Sequence, residues 1–266
     1  PKIAMFGGSV FLFPHPVKEL ADFLKGYDIH INYDAAHVAG LIAGGEFQDP
    51  LREGVDTMTM STHKTLFGPQ GGLVLAFEKN AEAIKKATFP GLTSSHHIHH
   101  MAAKAITFAE ALEFGKDYAI QTVKNAKALA VALNNFGFKV LGEKKGFTKS
   151  HQAVVNVLDY GDGGKIESDL EKANIIVNRQ LIPGDIKAKR HYMHPGGIRL
   201  GSSEVTRLGM KESEMQQIAS FIKNVIVDNK NTKEVAKQVA EFRKSYQKTQ
   251  YCFDNKLGAY DYVKLR

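Results

Sequence analysis

The chain has 266 residues, 43% of them hydrophobic, a single cysteine and a formal net charge of +7. That length supports one or two domains with a substantial core. One cysteine excludes an intramolecular disulfide framework and suits a reducing compartment, and without an apolar run of about 18 residues a helical membrane span is excluded.

The basic excess suits a polyanionic partner, but the lysines are dispersed in short runs such as Lys85-Lys86, Lys144-Lys145 and Lys187-Ala188-Lys189-Arg190. No nucleic-acid motif accompanies them, so most of the charge is expected to solvate helix faces. The start of the chain shows no signal-peptide pattern, and a cytoplasmic protein is expected; a targeting segment lost with an absent amino terminus stays open.

In chain order, strand-like runs fall at Ile3 to Phe6, which reads as buried, and at Ile29 to Tyr33, Thr57 to Met60 and Leu73 to Phe77. Their alternation with helical or loop stretches predicts a parallel α/β sheet. From Met101 to Asn135 the pattern is helical, with Ala102, Ala105, Ile106, Ala109 and Leu112 on one spacing and Ala126, Leu129, Ala130 and Leu133 on another. Lys139 to Leu141, Ala153 to Leu158, Ile175 to Val177 and Ile198 to Leu200 read as strands of a smaller α+β region. Amphipathic helices are expected around Ile218 to Val225 and Val235 to Tyr246. The predicted division is 1–110 and 111–266.

Thr59-Met60-Ser61-Thr62-His63-Lys64-Thr65 places a lysine just beyond a strand and before a glycine-rich turn. A lysine entering a partly desolvated pocket can serve as a Schiff-base amine, although a lone lysine here reads far more readily as a surface residue. Upstream, Asp28 to Tyr33 delivers Asp34 to a strand's carboxyl end, with His37 three residues later. Open α/β sheets bind ligands at such ends, and an acid there can keep the pyridine nitrogen of pyridoxal phosphate protonated. Taken singly, Asp34 also reads as a helix cap, Ser9 as a turn hydroxyl, His37 and His63 as structural histidines and Arg199 as a solvated strand end.

The run Tyr33-Asp34-Ala35-Ala36-His37-Val38-Ala39-Gly40-Leu41-Ile42-Ala43-Gly44-Gly45, followed by Phe47-Gln48-Asp49-Pro50-Leu51 and Thr62-His63-Lys64-Thr65-Leu66, closely resembles serine hydroxymethyltransferase. Phe89-Pro90-Gly91, His99, Asn178, Gly197-Ile198-Arg199-Leu200-Gly201 and Val205-Thr206-Arg207 continue the likeness, which thins after about Glu212. The resemblance implies a fold-type I pyridoxal-phosphate enzyme: later strands of the large-domain sheet, followed by a smaller α+β carboxyl-terminal domain. Lys64 would bind the cofactor covalently and Asp34 would hold the pyridine nitrogen. His37 would lie against the ring, Ser9 would hydrogen-bond its substituents, and Ser61 replaces a threonine of the family's polar run. His63 matches an active-site histidine, and Arg199 would grip the substrate carboxylate with its two-pronged guanidinium.

The implied reaction is reversible transfer of the serine hydroxymethyl group to a reduced pterin, giving glycine, by a homodimer. Tetrahydrofolate is the family's usual carrier. Phe67 and Gln70 in place of commoner basic residues, with the altered Thr93-Ser94-Ser95 loop, suggest a divergent, archaeal type of member and leave tetrahydromethanopterin open. A pterin-independent β-hydroxy amino acid aldolase and a catalytically silent binding subunit are the alternatives. The cluster His96 to His100 raises a metal site; no functional metal is expected, and adventitious binding stays open. The chain opens at Pro1 directly before an apolar run, so it is expected to be about the carboxyl-terminal two thirds of such an enzyme.

Overall fold

The computed structural model describes residues 1–254 together with Lys256, Gly258 and Ala259. The chain divides into two compact units, Pro1–Ile120 and Gln121–Arg266.

The first unit contains, in order, β1 (Ile3–Gly7), α1 (Val17–Leu24), β2 (His30–Asp34), α2 (Ala39–Ala43), α3 (Pro50–Glu53), β3 (Thr57–Ser61), β4 (Gly72–Ala76), α4 (Ala81–Lys86) and the first part of α5 (Ile98–Asn135). Its sheet has the order β1-β2-β3-β4. The first three strands are parallel, and β4 runs antiparallel to β3. This corrects the all-parallel expectation. Parallel neighbours need a crossover of about a dozen residues or more, and the Thr62 to Gly71 connection is too short for one.

A second correction concerns β1, which is an edge strand rather than a buried one, with Ile3 61% and Met5 66% exposed. Strand alternation turns both side chains to a face left open within this unit.

Short polar signals set the local turns. Helix α3 starts at Asp49, whose side chain accepts from the Arg52 N–H, has Pro50 in its first turn, and closes on Gly54 in the left-handed conformation. That turn presents Glu53 back toward Gln48.

In the second unit the remainder of α5 is followed by β5 (Lys139–Val140), β6 (Gln152–Asn156), α6 (Gly163–Glu171), β7 (Asn178–Gln180), β8 (Gly197–Gly201), α7 (Ser203–Arg207), α8 (Glu212–Ile226) and α9 (Thr232–Arg243). The sheet is antiparallel, in the order β5-β6-β8-β7. Leu133, Val155, Ile166, Ile198, Met215 and Ile222 form part of one closed core between sheet and helices.

The strand expected at Ile175 to Val177 lies three residues later, at β7. Asn174 takes a left-handed φ of 60°, and the Ile175 N–H donates to the Leu170 carbonyl at 3.0 Å, so the chain is still closing α6 where a strand was expected. Among the described residues no helix is long and apolar enough to cross a membrane.

Candidate active site

Parallel pairing puts the carboxyl ends of β1, β2 and β3 along one edge of the sheet, with Gly7 registered against Asp34 and Asp34 against Thr59. Ser9, Asp34, His37, Ser61, His63 and Lys64 all lie on or just beyond those ends. One edge of the first unit therefore carries six of the seven residues singled out in the sequence. Arg199 belongs to the second unit.

The approach between β1 and β2 depends on Gly7, which has a φ of 102°; a Cβ there would sit 2.3 Å from the Asp34 carbonyl oxygen.

The loop carrying Lys64 is fastened to the loop carrying His37. The buried Thr65 hydroxyl donates to the His37 carbonyl at 2.9 Å and accepts from the Gly40 N–H at 3.0 Å. The two backbones pack so tightly there that a Cβ on Gly40 would lie 2.0 Å from the Thr65 carbonyl oxygen. Beside them, the Ala35 N–H donates to the Thr59 carbonyl at 2.8 Å.

On the other side of Lys64, the buried Thr62 receives a 2.7 Å bond at its carbonyl from the Gly68 N–H. Its hydroxyl donates to the Pro69 carbonyl at 2.7 Å. The Phe67 N–H donates to the Lys64 carbonyl at 3.0 Å, and the Phe67 ring meets Tyr118 edge-on with centroids 4.9 Å apart. Lys64 is thus presented by a loop pinned on both sides.

Lys64 is half-buried, and among the described residues its Nζ makes no hydrogen bond or ion pair. Asp34 is also half-buried; its Oδ1 accepts from the Ala36 N–H at 2.9 Å, a local turn bond and not the helix cap that the sequence also allowed, since α2 starts only at Ala39 with Val38 before it. Among the described residues its Oδ2 accepts no hydrogen bond. This donor and acceptor set fits a pyridoxal ring: an amine without a carboxylate partner, and a carboxylate oxygen ready for a protonated ring nitrogen. His37 and Ser61 are half-buried, whereas Ser9 and His63 are exposed.

Burial pushes the Tyr33 phenol, next to Asp34, up from its ordinary value, and the Glu53 and Asp34 carboxylates act in the same direction.

In the second unit, Arg199 lies on β8 between Val154 of β6 and Asn178 of β7, and its Nη2 donates to the Asn178 Oδ1 at 3.0 Å. Burial lowers its guanidinium below the ordinary value, with the nearby Tyr192 acting in the opposite sense. The loop before β8 is held by the buried carboxylate of Asp185, whose Oδ2 accepts from the Ile182 N–H at 2.9 Å and the Gly196 N–H at 2.7 Å.

The rings of His97, His99 and His100 gather with centroids 4.3–5.5 Å apart. His96 precedes α5, so the His96/His100 pairing considered from sequence does not lie on one helix. Among the described residues no group of three or more His, Cys, Asp or Glu side chains is placed to hold a metal ion.

Thr62, Thr65 and Gly40 build the site without having been singled out as site residues. The bonds of Thr62 close a short loop, 6 and 7 residues on, and those of Thr65 reach 25 and 28 residues back, separations that no hydrophobic periodicity marks.

The architecture defines the class first. It is the α/β fold of fold-type I pyridoxal-phosphate enzymes, and it superposes on the crystal structure of L-threonine transaldolase from Pseudomonas fluorescens with a TM-score of 0.86. That match has 33% sequence identity and covers 97% of this chain and 58% of the other.

The family model of serine hydroxymethyltransferase matches residues 1–222, and the chain belongs to that family. Similar curated relatives are the serine hydroxymethyltransferases of Nitrosopumilus maritimus, 77% identical over 266 residues, and Pyrococcus furiosus, 56% identical over 260. These alignments cover 100% and 96% of this chain, and the chain spans 60% of the length of each relative.

Proposed function

We propose that the protein to which this chain belongs is a serine hydroxymethyltransferase that moves the hydroxymethyl group of serine reversibly to a reduced pterin, leaving glycine. The observation that carries this reading is the shared sheet edge, where the amine of Lys64 and the Oδ2 of Asp34, both without a hydrogen-bond partner among the described residues, stand on segments locked together through Thr65. Pyridoxal phosphate, when bound, supplies an electron sink for the bonds of the substrate α-carbon.

Lys64 is the attachment point for the cofactor, and Asp34 keeps the proton on the pyridine nitrogen. His37 covers the ring, while Ser9 and Ser61 hydrogen-bond around it. His63, beside Lys64, serves at the reacting end. Arg199 fixes the substrate carboxylate, a task suited to a fork of charge-assisted donors.

We assign cofactor binding to residues 1–110 and the carboxylate grip to 111–266, and infer a cytoplasmic homodimer. The carrier is tetrahydrofolate or tetrahydromethanopterin. Relatives from archaea, including Methanothermobacter marburgensis at 52% identity, favour asking the second question directly.

The likeness to a threonine transaldolase supports a second reading, pterin-independent cleavage of β-hydroxy amino acids. The higher identity to serine hydroxymethyltransferases ranks it lower.

The test is the visible absorption of the full-length protein and its Lys64→Ala variant with pyridoxal phosphate, then with glycine in the presence and absence of each reduced pterin. A lysine-dependent band that changes with glycine and again with pterin supports the transferase. Rapid threonine cleavage with no pterin effect promotes the aldolase, and the absence of any lysine-dependent band defeats both.

A further inference from the structure

Gln48 lies outside the residues assigned so far, yet its side-chain amide joins three separate segments through four hydrogen bonds. Its Oε1 accepts from the His15 N–H at 2.8 Å and from the Tyr33 hydroxyl at 2.9 Å. Its Nε2 donates to the His15 carbonyl at 3.1 Å and to Glu53 Oε2 at 2.6 Å.

The orientation of the amide is forced. The His15 N–H can only donate and the carboxylate can only accept, so oxygen and nitrogen cannot be exchanged. All four hydrogen-bonding positions of the amide are used, and the bond to Glu53 is charge-assisted. The pair of bonds to His15 copies the two-point pairing of a β-ladder, made by a side chain.

Rings pack against two of its partners, His15 and Tyr33. Phe11, 1% exposed, stacks on His15 with centroids 4.9 Å apart, and it lies 5.9 Å from Tyr33 and 6.0 Å from Phe47. Glu53 is steadied in turn, because its Oε1 accepts from the Asp49 N–H at 3.2 Å. Tyr33 is fully buried while Gln48, His15 and Glu53 are half-buried, so these bonds form in surroundings of lowered dielectric that strengthen them relative to an open surface.

The chain on either side of the clamp leads directly to the candidate site. Ser9 precedes Phe11 by two residues, and Asp34 follows Tyr33. We propose that Gln48 is a positioning residue, whose amide ties the segment carrying Ser9 to the strand carrying Asp34 and thereby fixes these two cofactor contacts relative to each other. The inference rests on the reading of Ser9 and Asp34 given above. It adds a residue that touches neither cofactor nor substrate but sets the geometry of groups that do.

The test uses the full-length protein with Gln48→Met, Gln48→Glu and Glu53→Gln. Gln48→Met keeps the volume and removes all four bonds. Glu53→Gln still offers an acceptor to Gln48 and serves as the conservative control.

Without cofactor, amide hydrogen exchange over residues 8–16 should accelerate in Gln48→Met and stay at the wild-type rate in Glu53→Gln. Pyridoxal phosphate should bind the folded Gln48→Met protein about tenfold more weakly, the size of loss seen when the partners that orient a ligand-binding group are removed.

In Gln48→Glu the new carboxyl faces Glu53, the Tyr33 hydroxyl and the His15 backbone, with Asp34 the next charge along β2 and the His15 ring stacked on Phe11. One proton shared between the two carboxyls restores a donor, so cofactor binding in this variant should recover toward acid pH while wild type shows no such gain. This arm also covers the case in which Gln48→Met fails to fold.

Wild-type exchange over residues 8–16, or wild-type cofactor affinity in folded Gln48→Met, overturns the proposal. A wild-type protein with no Lys64-dependent band overturns the cofactor reading instead, and the exchange measurement still reports on the clamp.

Discussion

Helix α5 carries two apolar faces, and the two units treat them differently. In the second unit Leu129, Ala130 and Leu133 belong to a closed core with both sheet and helix partners, and Ala126 is buried as well. In the first unit Ile106 is 59% exposed and Leu112 90% exposed, and the open edge strand β1 adds Ile3 and Met5. The second unit is held by apolar packing. The first holds its candidate site largely through hydrogen bonds between loops at the ends of three short strands. Burial supplies most folding free energy but little direction, whereas hydrogen bonds supply direction, which a reactive lysine needs. Cutting each kind of support should therefore produce a different failure.

The largest effect should come from the reactive group itself. Lys64→Ala is expected to lower turnover by about a thousandfold or more, the scale for removal of a group that takes part in the chemistry. Without cofactor, thermal unfolding should stay close to wild type, since among the described residues Lys64 Nζ makes no hydrogen bond or ion pair to lose. Steady-state kinetics and a melting curve on the same preparation check both halves.

Next comes the contrast along one helix. Leu133→Ala removes a fully buried side chain and should cost about 2–5 kcal/mol, while Leu112→Ala, at an open position, should change stability by less than about 0.5 kcal/mol. Denaturant unfolding of the two variants measures the difference. A large loss from Leu112→Ala in the full-length protein would mean that this face is covered there.

A smaller and more local effect is expected from Thr65→Val. The substitution strands the Gly40 N–H and the His37 carbonyl in a buried place, a loss of about 1–3 kcal/mol. Because it unties the Lys64 loop, cofactor affinity should fall more than the melting temperature suggests. Equal falls would reduce Thr65 to a stability residue.

These contrasts explain how far the sequence could be read. The helical span of α5, the strands near His30 and Thr57, and the strand-end positions of Asp34 and Lys64 are local patterns, written in spacing. The exposure of β1 was not legible, because Ile3-Ala4-Met5-Phe6 has the same composition whether its neighbour covers one face or two. The antiparallel β4 was legible in principle from the short Thr62 to Gly71 connection, but the apolar pattern alone outweighed it. Asn174 shows another limit: its left-handed turn moves β7 along by three residues, and no hydrophobic count detects that. The Thr65 bonds and the Gln48 bonds to His15 reach 25 to 33 residues in sequence, so only the fold brings these partners together.

The smallest effect expected is a pH dependence, and its sign separates buried packing from surface charge. Burial lowers the pKa of His15 in the folded state below the ordinary imidazole value of 6.5. The unfolded chain then binds more protons than the folded chain between the two values, so stability falls as pH drops below about 6.5 and levels off once the folded-state value has been passed. Above that window the contribution is fully present. Replacing His15 by Phe should preserve the stack on Phe11 and the backbone bonds to Gln48 while removing this acid-side slope. Melting temperatures of wild type and His15→Phe, measured from pH 7.5 down to about pH 5, should diverge only below the imidazole value. Parallel curves would mean that the ring exchanges protons with solvent freely in the folded protein, and the packed segment before α1 would then be looser than the Phe11, His15 and Tyr33 contacts require.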